Sequence, residues 1–140
     1  MSWTIKEQVP TLYVSDLELA VEYYGRLGFE VQWQWPKSEA SHIGLRNGSC
    51  AVMLIRGKSF GQGEVYFVVD DVNVCFESIH SARPWDLVLD SVASHGDRTL
   101  YHEASLEAPP EPTVKDHKHR DFLIVDPWGH RLSFGCEEVR

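Results

Sequence analysis

Apolar residues recur along this chain in two rhythms. In "DLELAVEYYGRLG", Leu17, Ala20, Val21, Tyr24 and Leu27 fall three and four residues apart, the spacing that aligns side chains on one face of an α-helix. Asp16 precedes them, where a carboxylate can accept from an unpaired backbone N–H, and Gly28 follows, where positive φ can end the helix. "FEVQWQW" then alternates apolar and polar residues, the period of a strand covered on one side. "HIGLRNGSCAVMLI" supplies two more strands around Asn47-Gly48, a pair that predicts a tight hairpin with both residues at positive φ. With "LYV" ahead of the helix, the first half reads strand, helix, strand, strand, strand.

The pattern repeats. "LYVSDL" (Leu12 to Leu17) and "FVVDDV" (Phe67 to Val72) share an apolar run, an acid and an apolar helix entry, 55 residues apart. Val72, Cys75, Phe76 and Ile79 make the second helical face, with Asp71 as its cap. The second half closes on "RDFLIV", a "DPWG" turn and "RLSFG". Gly129 lies 81 residues after Gly48 rather than 55, so about 26 extra residues separate the second helix from the last hairpin. Part of that excess is "PWDLVLDSVASHG". Trp85, Val88, Leu89 and Val92 form a helical face there, with Pro84 near its start and Gly96 past its end. "ASLEAPPEP" reads as a short strand entering a proline-rich loop. "RGKSFGQG" is a glycine-rich connector without the spacing of a phosphate-binding loop. The reading is one domain over 1–140, with a first module at 1–57, a second at 64–136 and an insertion at about 83–103.

Charge and composition narrow the function classes. The net charge of −8 opposes nucleic-acid binding, which needs a basic face. No run of about 18 apolar residues predicts a membrane span, and "MSWTIKEQVP" has no apolar signal core, so a cytoplasmic protein is expected. The three cysteines, Cys50, Cys75 and Cys136, form no CxxC motif and suit a reducing compartment. Cys50 and Cys136 have no adjacent base and read as packing residues rather than nucleophiles. His117 and His119 alternate and point one way if extended, so with His95 or His102 they could grip a metal. Their neighbours Lys115, Asp116, Lys118 and Arg120 are instead those of a solvated loop.

The segments "VPTLYVSDLELAVEYYGRLGFEV" and "DPWGHRLSFGCEE" resemble the glyoxalase/bleomycin-resistance/dioxygenase superfamily, also called vicinal oxygen chelate proteins. The resemblance covers both ends well, the middle hairpin and "VYFVVDDV" moderately, and Arg83 to Glu103 not at all. It implies an α+β fold of two paired βαβββ modules, whose curved mixed sheets form a cleft, with the inserted helix in the second module. Metal-dependent members take four ligands from the first and last strands of the modules. Those places fall here on Val9, Leu54, Glu64 and Ser133, a set unable to hold a catalytic divalent ion. No metal and no cofactor are therefore expected.

The resemblance then points to the metal-free, bleomycin-resistance-type branch, a homodimer that sequesters a small molecule such as a cationic antibiotic. Trp33, Trp35 and Tyr66 would offer stacking surface, Glu64 the charge, and Arg131 with Ser133 the far wall. "VPTLYVSDL" looks like the strand such dimers exchange or pack. One departure is "KDHKHRDF" where resistance proteins carry "PWGxREF". Arg120, Asp121 and Phe122 keep the arginine-acid-phenylalanine part and the tryptophan is lost. The competing reading is a glyoxalase-like lyase or isomerase, with Glu64 as a general base if the cleft desolvates it. A third is an interaction module whose cleft the inserted helix covers.

Overall fold

The computed structural model describes residues 2–58, 63–115 and 118–138. Its elements in chain order are β1 (Thr11–Val14), α1 (Leu17–Arg26), β2 (Glu30–Trp35), β3 (His42–Asn47), β4 (Cys50–Arg56), β5 (Glu64–Val68), α2 (Val72–Ala82), α3 (Pro84–His95), β6 (Thr113–Val114), β7 (His119–Val125) and β8 (Arg131–Glu137). Two four-stranded sheets result, ordered β1-β4-β3-β2 and β5-β8-β7-β6. In each, the strand before the helix runs parallel to the last strand of its module and the other pairings are antiparallel. This is the expected α+β architecture of two βαβββ modules.

Local chemistry explains the helix ends. Asp16 accepts from the Leu19 N–H at 3.1 Å, and Asp71 accepts from the Asn73 and Val74 N–H groups, each at 3.1 Å. Gly28 takes φ +97° after α1, and Gly96 takes φ +70° after α3, as the spacing predicts. The Asn47-Gly48 expectation shifts by one residue. Asn47 pairs with Cys50, so Gly48 and Ser49 form the loop, and of the pair named in the sequence only Gly48 has positive φ.

Alternation decides what each sheet buries. Leu12, Val14, Leu45, Val52 and Leu54 line the inner side of the first sheet; Phe67, Phe122, Ile124, Leu132 and Phe134 line that of the second. Leu17, Leu19, Ala20, Tyr23 and Tyr24 of α1 cover them, so the buried face of α1 is wider than the periodic set. Burying a large apolar side chain stabilises by about 1.5–3 kcal/mol, and here the two sheets share one continuous core. Phe67, Phe134 and Phe122 stack through its second half, with centroids 5.1 and 5.4 Å apart.

The insertion joins this helix-side core. Trp85 and Val88 of α3 are buried in it, and α3 packs against α1. Arg83 links α2 to α3 at φ +51°, its guanidinium bound to Asp86 at 2.7 Å and lying 5.5 Å from the Trp85 ring centroid. The inserted helix therefore covers the back of the molecule and does not lid the sheets' open faces. "ASLEAPPEP" begins as a 3₁₀ turn, Glu103–Leu106, rather than a strand; the short strand follows the prolines as β6.

The "DPWG" turn ties the modules together. Asp126 is fully buried and accepts from Tyr24 Oη at 2.6 Å, from the Trp128 N–H at 3.0 Å and from the His130 N–H at 2.8 Å. Beside it, the Gly63 N–H donates to His130 Nδ1 at 2.8 Å, which leaves Nε2 to donate to the Tyr13 carbonyl, also at 2.8 Å. A buried carboxylate is tolerated where such donors surround it.

Candidate functional site

Each sheet turns its other face outward as a shallow cup. The first, of about 390 Å³, is lined by Val9, Trp33, Gly44, Arg46 and Met53 among others. Trp33 reaches it through an irregularity. The β2–β3 register passes from Val31↔Leu45 to Trp33↔Gly44, leaving Gln32 as an extra residue. Directly opposed residues share a sheet face, so Val31 follows buried Leu45 while Trp33 and Trp35 follow Gly44 and His42 to the cup side. The indole of Trp33 lies over Gly44, where a Cβ would collide with it. β2 is exposed throughout, rather than half covered. The cup's charges, Glu7 and Arg46, pair with each other at 2.7 Å.

The second cup, of about 880 Å³, gathers Glu64, Tyr66, Asp121, Arg131 and Ser133, with Lys115 and Glu111 at its rim. Four residues singled out in the sequence thus meet, because register sets Glu64 opposite Arg131 and Tyr66 opposite Ser133. Glu64 is not a buried base: its side chain is 77 % exposed, and its Oε1 lies 3.3 Å from Arg131 Nε. The buried acid is Asp121, 8 % exposed. Tyr66 Oη donates to Asp121 Oδ2 at 3.2 Å, and Lys115 Nζ stands 3.9 Å from Oδ1. Partial burial and the Asp121 charge both push the Tyr66 phenol above its ordinary pKa. Tyr66 Oη occupies the space a side chain at Gly135 would need.

Among the described residues the cups share no lining residue, and Trp33 lines the first cup while Glu64, Tyr66, Arg131 and Ser133 line the second. Trp35 packs edge-on to His42, centroids 5.7 Å apart.

The metal positions need one correction. Leu54 is fully buried on the helix side; β4 turns Ala51, Met53 and Ile55 to the other face, so the outward place beside Val9 is Met53. Val9, Met53, Glu64 and Ser133 still provide one carboxylate and one hydroxyl, which does not fit a resident divalent ion. Among the described residues no three His, Cys, Asp or Glu side chains converge as a metal site. His117 lies outside the described residues, and His119 packs against Tyr66 with centroids 6.4 Å apart. His95 binds the Ser91 carbonyl, and His102 accepts from the Ala104 N–H, each in its own helical segment. Cys75 is held as a thiol by burial, foremost, and by Asp70, its pKa pushed up to about 11.

The sequence reading did not assign Asp121 and Lys115 to the cleft. Asp121 appeared only as the acid in an arginine-acid-phenylalanine trio, and Lys115 as loop charge. Gly44 and Gly135, glycines inside strands, were the available signal, since such residues mark close approach by another group.

No helix among the described residues is long and apolar enough to cross a membrane. No protein of curated function matches the sequence. Among solved structures, the bleomycin resistance determinant encoded on the transposon Tn5 aligns with a TM-score of 0.67 at 16% identity, over 96% of this chain and 100% of the other. The bleomycin-binding protein from bleomycin-producing Streptomyces verticillus, complexed with copper(II)-bleomycin, aligns with a TM-score of 0.67 at 19% identity, over 95% and 97%. Lactoylglutathione lyase from Agrobacterium tumefaciens aligns with a TM-score of 0.59 at 14% identity, over 96% of both chains. Such identities speak for the fold alone. The sequence itself matches the Glyoxalase/Bleomycin resistance protein/Dioxygenase superfamily over residues 8–134, and the chain belongs to that family.

Proposed function

We propose that this protein binds and sequesters an aromatic small molecule bearing positive charge, without a resident metal and without making or breaking a bond. The supporting observation is the pair of cups. Their metal positions lack a donor set, while exposed indole and phenol rings of Trp33, Trp35 and Tyr66 stand where a planar ligand can stack. Glu64, Arg131 and Ser133 line the second cup and would orient the ligand. Because one chain keeps Trp33 apart from that cup, a complete groove calls for a second copy whose first module faces the partner's second. Exposed Val9, Tyr13, Trp33 and Val68 on the open faces supply apolar surface for that contact. The bleomycin-binding function of the structural neighbours supports the reading.

Calorimetric titration with metal-free bleomycin tests it. Saturable binding by a species of dimer mass in sedimentation is expected, and Trp33→Ala should weaken it about tenfold. A stoichiometric transition metal in protein purified without chelator would overturn the metal-free reading. The second reading, a glyoxalase-like lyase, has the lactoylglutathione lyase neighbour in its favour. It requires turnover of hemithioacetals that disappears in Glu64→Gln. The solvated, ion-paired Glu64 carboxylate opposes it, since a general base needs a partly desolvated setting.

A further inference from the structure

Among the described residues, five formally charged side chains line the second cup, and they are not equivalent. Glu64 and Arg131 pair with each other in solvent, at 3.3 Å. Glu111 stands at the rim. Asp121 alone is buried at the floor, its carboxylate oriented by Tyr66 Oη at 3.2 Å. Lys115 approaches it to 3.9 Å, outside hydrogen-bond length, from a side chain 50 % exposed. Among the described residues the lining thus carries the acids Glu64, Glu111 and Asp121 and the bases Lys115 and Arg131, with acids the more numerous.

We propose that Asp121 selects the ligand's cationic group in this cup and that Lys115 is a tethered internal cation which the ligand displaces. The inference rests on the binding reading above and names the residues that decide its charge preference. Asp121 suits the role because a carboxylate in a partly water-excluded hollow attracts a cation more strongly than one in bulk solvent. Its geometry is held: a side chain at Gly135 would strike Tyr66 Oη and the Asp121 Cβ, so glycine there lets phenol and carboxylate meet. Lys115 suits its role for the opposite reason. A long, half-exposed ammonium without a short contact to the acid loses little on swinging into water, so a ligand amine can replace it while the charge beside Asp121 stays balanced. Lys115 then acts as a competitor. It neutralises the buried acid in the empty protein and lowers affinity for every cation that enters.

The test compares 1-naphthylmethylamine with 1-naphthalenemethanol, probes alike in ring but not in charge, by fluorescence titration of the full-length protein. Lys115→Met should tighten the amine several-fold and leave the alcohol unchanged. Asp121→Asn, which retains an acceptor for Tyr66, should reduce the amine-to-alcohol affinity ratio about tenfold. Glu22→Gln on the outer surface of α1 removes the same charge far from the cup and should move the ratio less than twofold. A ratio unmoved by Asp121→Asn, or an amine bound more weakly by Lys115→Met, overturns the inference and leaves the binding reading standing. Failure of the wild type to bind either probe removes both. Lys115→Met alters an exposed side chain, so its result stands even if Asp121→Asn does not fold.

Discussion

The two modules share strand order, pairing sense and a common core, yet their open faces diverge. In the first, a bulged β2 of six residues lays Trp33 over Gly44 and the charged pair, Glu7 and Arg46, neutralises itself. In the second, β6 keeps only two residues, and a tyrosine from the first strand of the module crosses Gly135 to reach buried Asp121. One cup is an aromatic platform, the other an oriented carboxylate. The repeated core sides hold the fold, which leaves the outward sides free to specialise.

The largest effect should come from cutting the junction that holds the modules together. Asp126→Ala leaves the Tyr24 hydroxyl and the Trp128 and His130 N–H groups without their buried acceptor, a loss on the order of 3–4 kcal/mol by urea denaturation. Its pH dependence has a definite sign. Burial, the main cause, raises the Asp126 carboxyl in the folded state against the opposing pull of His130 and its hydrogen bonds. The contribution is therefore fully present below the ordinary carboxylate range and declines as pH rises through the folded value. Asp126→Asn should flatten that decline relative to wild type; an unchanged pH profile would contradict the assignment.

Next come the two strand glycines, which sharpen the contrast. Gly135→Ala meets Tyr66 Oη, the Asp121 Cβ and, at 3.0 Å, the Arg120 carbonyl oxygen, a backbone atom that cannot swing away. Gly44→Ala meets only the exposed Trp33 indole among its nearest atoms. The first should cost about 2 kcal/mol and the second about half that, in thermal or urea unfolding. Equal costs would mean the two cups are supported alike.

The smallest effect is spectroscopic. Ultraviolet titration should find one exposed tyrosine, Tyr66, ionising above the ordinary range because of desolvation first and the Asp121 charge second. Asp121→Asn should bring it down. No change would separate the phenol from the acid.

Much of the architecture was legible before any coordinates. The helical face of α1, its Asp16 cap, the Gly28 stop and the 55-residue echo at Val72 are local signals, each set by residues close in the chain. Glu64, Tyr66, Arg131 and Ser133 share one face because alternation on paired strands carries them there, while Trp33 and Trp35 of the same candidate set lie on the other sheet. One reading needed correction and two features stayed open where distant pieces decide. The Leu54 position needed knowledge of which β4 face meets α1. The place of α3 depended on Trp85 finding the α1 core. The role of Asp121 depended on Tyr66, 55 residues away, crossing a glycine to reach it.

By itself the sequence determined the periodicities, and with them the order of strands and helices, the capped ends and the family. Those follow from short-range rules of backbone hydrogen bonding and side-chain spacing. Only the tertiary structure decided which way each strand faces, that Gln32 bulges to send Trp33 outward, and that Asp121 rather than Glu64 is the sheltered acid. Register, bulges and burial come from packing between segments far apart in the chain, and no local pattern contains them.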